Sequence, residues 1–418
     1  PSIILYTPFV ILLKRTLMAL TIIQTPNDVN LAQSPIVFAV SESNSEAFTS
    51  SSFQYLADLY FWTGSLTDSG SSNYTLTKYP NTSRTGIFDV SRIINSELSD
   101  IVQAVSSSVR YIAIDTYTQF LSGSIFVTGS HLKSGVYKAI DGYSVFQEPI
   151  NQRIEDKTPY WPILTSGPSS QSYQEGTGGR MSLWVGTIGG VAPQVTALIY
   201  SSSLDGEDNN YLPIPTGSTT SSEMIVTFPI SPSEPDWPIA TDLNNFEIFA
   251  ITGSTNYTGT NKMNENIHFD YVCDTKYDNI RVKWKNRFGG FDYYNFNLVS
   301  KESMSTARQR YQPQIGSWNS RGLSYEQYES STQNYIVDSK QNLSVNSNYV
   351  PESYNDIFKE LMVSDEVYWV QSYSDTDGEQ LMPLAVQTSN FSIKTNKVDK
   401  LIQYSFDFIR GQGYKLII

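Results

Sequence analysis

The chain has 418 residues, of which 39% are apolar and only 17% charged, and it carries a formal charge of -13. That balance argues against wrapping a phosphate backbone, which needs a concentrated basic surface, so no nucleic-acid partner is expected. A single cysteine, Cys273, excludes an intrachain disulfide framework and a zinc site built on cysteine pairs, and His131 and His268 are too few for a histidine-rich centre; no metal and no cofactor is expected.

The first segment is an apolar run, Ile3 to Leu13, interrupted by Pro8 and followed by Lys14 and Arg15. A secretory signal carries its positive charges ahead of the apolar run, and a membrane span needs ~20 apolar residues, so the run fits neither and no membrane insertion is expected. Met18 reads as a natural start, which makes residues 1–17 a non-native leader.

From residue 18 to 150 the pattern is that of a β-sandwich domain with one helix. Phe53, Tyr55, Ala57, Leu59 and Phe61 alternate through FQYLADLYFW, and VRYIAIDTYTQF and SIFVTGSHL follow as strands. In FDVSRIINSELSDIVQAV the apolar residues Val90, Ile93, Ile94, Leu98, Ile101, Val102 and Val105 fall at helical spacing behind a capping Asp89. Residues 151–266 form a loop-rich β domain, in which strands such as MSLWVGTI, EMIVTFPI and NNFEIFAITGS sit between Pro- and Gly-rich turns.

Residues 267–418 read as a C-terminal β domain with one helix. VKWKNRFGGFDYYNF, Val282 to Phe296, places Gly289 and Gly290 between two alternating runs. This is a half-buried antiparallel hairpin, with Ile280, Val282 and Trp284 on one face and Arg281, Lys283 and Lys285 on the other. The helical period that a phosphate-binding loop needs is missing behind the glycines. The polar stretch from Met304 to Tyr349 fits an extended arm or inserted loop, and its SYEQYESSTQNY has the tyrosine-rich composition of recognition surfaces. A helix is predicted at SYNDIFKELM, with Ser353 and Asp356 at capping-box spacing, and a final strand in KLIQYSFDFI. The fold class is therefore mainly β: two or three β-sandwich-like domains with a few short helices.

There is no Walker loop, zinc-binding histidine pair, nucleophile elbow or dinucleotide glycine fingerprint, and the chain is not read as an enzyme. Two carboxylates suffice for glycoside hydrolysis and need no local motif, so a polysaccharide-degrading reading stays open. The acidic run Asp375 to Glu379 could point at one Ca²⁺, but Asp-Gly between two strands is first of all a hairpin turn.

Two stretches carry a resemblance. SSFQYLADLYFWTGS together with YPNTSRTGIFDVSRIINSEL, whose F-D-[VIL]-S helix start is Phe88 to Ser91, resembles the N-terminal region of uncharacterised virion proteins of marine tailed bacteriophages and Bacteroidetes phages. The turn N-R-[FY]-G-G-[FWY]-D of tail-associated proteins in such phages is similar to Asn286, Arg287, Phe288, Gly289, Gly290, Phe291 and Asp292. The resemblance covers about half the chain. It implies a structural virion protein of the tail or baseplate, assembled in the host cytoplasm with itself and other virion proteins, and able to contact a host surface glycan or protein. On that reading Arg287, Phe288, Gly289, Gly290 and Phe291 are candidates for contact with a neighbouring subunit. The alternatives are a carbohydrate-binding adhesin, with exposed Tyr or Trp in a groove, and a capsid-associated jelly-roll protein.

Overall fold

A computed structural model describes residues 20–43, 48, 50, 52–64, 70–98, 106–144, 162–174, 177–186, 195–202, 209–213, 224–234, 236–238, 245–254, 257–263, 266–272, 276–374, 378–390, 392, 401–411 and 415–417. The proposed leader, Cys273 and the turn residues 375–377 lie outside them. The fold is mainly β, arranged in several separate sheets with two short α-helices among the described residues. No helix among these residues is long and apolar enough to cross a membrane.

The described residues divide into two compact units. One is built from residues 20–98 and 110–139; the other takes in 106–109, 140–144 and everything from 162 onward. The stretches 151–266 and 267–418, read from sequence as separate domains, thus supply their described residues to the same unit.

In the first unit a three-stranded antiparallel sheet, Leu20–Gln24, Val37–Glu42 and Thr85–Asp89, shares a core with a seven-stranded sheet. The path of the larger sheet runs Val29–Leu31, Tyr137–Ile140, Arg110–Ser122, Gln54–Trp62 and Tyr74–Lys78, and two short strands also pair with Arg110–Ser122. The alternation in FQYLADLYFW holds: Tyr55, Ala57 and Leu59 are fully buried against Phe38, Phe88 and Ile112. The helix behind Asp89 is much shorter than its apolar spacing predicts, spanning only Ser91–Asn95. Asp89 Oδ1 does accept the Ser91 N–H, at 3.0 Å. Past Asn95 the chain tightens, the Glu97 N–H donating to the Ile94 carbonyl at 3.1 Å, and the Glu97 carbonyl accepts from Arg110 Nε at 2.8 Å. Residues 99–105 lie outside the described set.

Among the described residues the second unit holds three larger sheets and two two-stranded ladders, Ser317–Asn319 with Gly322–Ser324 and Val350–Pro351 with Leu401–Ile402. The five-stranded one runs Ser170–Gln174, Ile267–Val272, Asn245–Thr252, Val195–Ser202, Asn209–Pro213, and only its first pairing is parallel. A three-stranded sheet joins Arg180–Val185, Met224–Pro229 and Ser106–Ser108. The eight-stranded sheet runs Phe291–Phe296, Ile280–Lys285, Val367–Ser374, Gly378–Val386, Ser405–Arg410, Gln333–Asn346, Lys301–Tyr311, with Lys415–Ile417 also on Gln333–Asn346. Its core buries Val282, Trp284, Phe296, Phe406 and Phe408 under the helix Asn355–Val363, which contributes Ile357, Phe358 and Leu361.

That helix lies where sequence places it, but its start differs. A tight turn, Glu352–Tyr354, runs straight into it, so Ser353 sits inside the turn rather than at the cap. Asp356 pairs with Lys359 at 2.7 Å instead of closing a capping box.

Candidate assembly surface

The hairpin that suggested a subunit contact forms as expected, with Ile280–Lys285 and Phe291–Phe296 in antiparallel register from Ile280–Phe296 to Lys285–Phe291. Its tip is not a surface. Phe288 and Phe291 are 5% and 3% exposed, and Gly289 and Gly290 are buried with them, so these residues cannot meet a neighbouring subunit as the sequence reading held. Each has an internal task. Asn286 Oδ1 accepts the N–H groups of Phe288 and Gly290, both at 3.0 Å, while its amide donates to the Leu164 carbonyl at 2.8 Å and to Asp292 at 3.1 Å. Gly289 has φ +77°, and a Cβ there would fall on the Asp141 carbonyl, so two independent constraints demand glycine. A Cβ on Gly290 would press on Ser182 and the Leu164 carbonyl at 2.8 and 2.9 Å. The Arg287 guanidinium lies 4.6 Å over the Phe288 ring and close to Glu360, 3.6 Å away.

The polar face of the hairpin is also covered, against the expectation of a solvent face: Arg281, Lys283 and Lys285 are 5%, 4% and 7% exposed. Buried cations need partners, and each has them. Arg281 donates to Asn295 Oδ1 at 2.8 Å and lies over the Tyr293 ring. Lys283 meets Glu379 at 2.6 Å. Lys285 is clasped by Asp141 and Glu366. The two lysines titrate in opposite directions. Burial outweighs Glu379 and lowers the Lys283 pKa, whereas at Lys285 the two carboxylates outweigh burial and raise it. Glu379, part of the acidic run that might have held Ca²⁺, is thus committed to a lysine, and the described residues contain no group of three or more possible ligands close enough for a metal ion.

Glu360 closes this layer. Burial first, then the neighbouring Asp292 charge, push its carboxyl up to about 7 despite hydrogen bonds from Ser166 and the Arg287 backbone and the Arg287 charge. Because the folded pKa lies above the ordinary 4.5, folding favours the protonated acid, and the stability it supplies is lost as pH rises from about 4.5 through about 7. Glu360→Gln is therefore expected to remove up to about 3 kcal/mol of pH dependence over that window, measured as urea midpoints across the range. Tyr143, whose own pKa Glu360 helps raise, stays neutral throughout.

What remains exposed is the arm. Every residue of Lys301–Tyr311 is exposed, and among the described residues the strand is the last one on its edge of the eight-stranded sheet, paired with Gln333–Asn346 alone. Beyond the ribbon a second ladder, Ser317–Asn319 with Gly322–Ser324, sets Trp318 directly opposite Leu323. Trp318, Leu323, Tyr325 and Tyr328 are all exposed, at 67%, 44%, 63% and 85%. Scattered exposed apolar residues are ordinary, but four within eleven positions at one tip are the composition of a contact surface. From 301 to 346 the arm carries Lys301, Arg308, Arg310, Arg321 and Lys340 against Glu302, Glu326, Glu329 and Asp338, so its charges nearly balance. The tyrosine-rich stretch was visible in the sequence; Trp318 and Leu323, which complete the tip, lie ahead of it.

No family model matches the chain. No curated protein matches it either. Among solved structures, Drosophila OTK, extracellular domains 3-5, is similar at 10% identity over 78% of this chain and 92% of that one, with a TM-score of 0.21. A likeness that weak carries no argument about fold or function.

Proposed function

We propose that this chain is a structural virion protein of a tailed bacteriophage, a tail or baseplate component that acts by oligomeric assembly. The observation that carries the reading is the arm: a fully exposed edge strand, Lys301–Tyr311, leading to an exposed aromatic tip at Trp318, Leu323, Tyr325 and Tyr328. Its complement is the same kind of tip on a second copy, because desolvated Trp and Tyr supply most of the energy of such a contact. The bare edge of Lys301–Tyr311 can also accept a partner strand, which links subunits through backbone hydrogen bonds. The charged residues on that edge restrict which partner fits. The sequence resemblance to phage virion proteins supplies the setting, with assembly in the host cytoplasm beside other virion proteins.

Light scattering on the full chain and on a variant with 312–332 replaced by a short glycine-serine turn tests the proposal. A defined oligomer is expected for the parent. The shortened chain is expected to be monomeric with an unchanged melting temperature, because the deleted residues bury little. A parent that stays monomeric, or an oligomer indifferent to the deletion, overturns the role given to the arm.

A further inference from the structure

The second unit contains an open pocket of about 390 Å³, walled by the two sheet-edge strands Ser170–Gln174 and Phe291–Phe296 and by residues 348–354. Pockets for small ligands start at roughly 300 Å³, so there is room for one sugar ring and part of a second. We propose that this pocket binds a neutral sugar unit of a glycan. The inference stands whether or not the chain assembles through its arm.

The lining chemistry selects the ligand. Gln171, Asn295, Asn297 and Asn348 present side-chain amides, each able to donate and accept, which is what neighbouring hydroxyls on a sugar ring require. Asn297 is 8% exposed, and its Oδ1 has no hydrogen-bond partner among the described residues. Asn295 is pre-oriented, since Arg281 Nη1 binds its Oδ1 at 2.8 Å and so turns its NH₂ away from that cation. Asp270 is held by His268 Nε2 at 2.9 Å, within reach of Ser170 Oγ at 3.4 Å.

Aromatic groups complete the site. Tyr294 and Tyr354 form part of the wall, and the Tyr354 hydroxyl, kept neutral by burial, ties it to the neighbouring strand through the Ser170 carbonyl at 3.4 Å. Tyr349 lines the same pocket at 61% exposure, a free ring of the kind that covers the apolar C–H face of a sugar. Among the described residues no lysine or arginine lines the pocket, and Asp270 is the one carboxylic acid that does. A sialylated or sulfated glycan would bring its anion against the Asp270 carboxylate, which favours an uncharged ligand.

The test uses the full chain on an array of neutral, sialylated and sulfated glycans, followed by calorimetry with the strongest neutral hit. Two variants accompany it: Tyr349→Ala, which removes the exposed ring, and Ser172→Trp, which fills the pocket from an exposed strand position. Binding to neutral glycans is expected, with each variant weakening it by at least roughly tenfold, or about 1.4 kcal/mol, at an unchanged melting temperature. No binding, binding confined to acidic glycans, or binding that survives both variants would each overturn the proposal.

Discussion

Lys283→Met is expected to destabilise the second unit by about 3–5 kcal/mol, the largest single-site effect anticipated for the buried charge layer. Lys283 and Glu379 meet at 2.6 Å with side chains 5% and 8% exposed, so neither is hydrated in the fold. Their attraction does little more than repay the desolvation of both, and the pair as such adds little net stability. Removing one partner is a different matter, because the Glu379 carboxylate then stays buried without its cation. Burial already strains Lys283 toward its neutral form, which shows how little water reaches this point. The double variant Lys283→Met/Glu379→Leu is therefore expected to recover most of the loss, although it deletes more polar groups than the single one. Urea midpoints for both single variants and the double variant, closed into a thermodynamic cycle, check this; additive losses would mean that the two side chains are energetically independent.

This layer also marks where sequence reading stops. Alternation through Ile280–Lys285 correctly assigned which residues share a face, because side chains in a strand point to opposite sides in turn. It could not say what covers the second face. The cover comes from Gly179 and the strand Arg180–Val185, about a hundred positions earlier: a Cβ on Gly179 would strike Arg281, and one on Gly290 would strike Ser182. Period-2 patterning carries no record of such a partner, and lysines that would mark a solvent face elsewhere are here the buried half of ion pairs. The arm failed to register as strand for the opposite reason. KESMSTARQRY is exposed along its whole length, so burial imposes no alternation on it, and its pairing with Gln333–Asn346 is a backbone matter. Sequence composition flagged the stretch without resolving its structure. The pocket was beyond reach altogether, since its amides and tyrosines come from segments near 170, 270, 295 and 350 that only the fold brings together.

Asn286→Ala is expected to cost on the order of 4 kcal/mol, which would make the asparagine, rather than the glycines beside it, the residue on which the turn depends. Asn286 is 1% exposed and makes four hydrogen bonds, so alanine strands the Phe288 and Gly290 N–H groups and removes a donor from the Leu164 carbonyl. Asp292 suffers less, because Thr165 Oγ1 still donates to it at 2.6 Å. Asn286→Asp separates the two halves of this role. It keeps the acceptor that organises the turn but sets a second carboxylate where the amide stood 3.1 Å from Asp292. Like charges so close raise the pKa of the pair, and a shared proton relieves the repulsion, so the penalty of this variant is expected to shrink as pH falls from about 8 to about 5. The alanine variant gains no such relief, since it adds no charge. Denaturant melts of the two variants at both pH values, each referred to the parent at the same pH, separate them: a penalty for Asn286→Asp that stays constant with pH would show that the amide's donors, and not the neutrality it preserves beside Asp292, are what the turn requires.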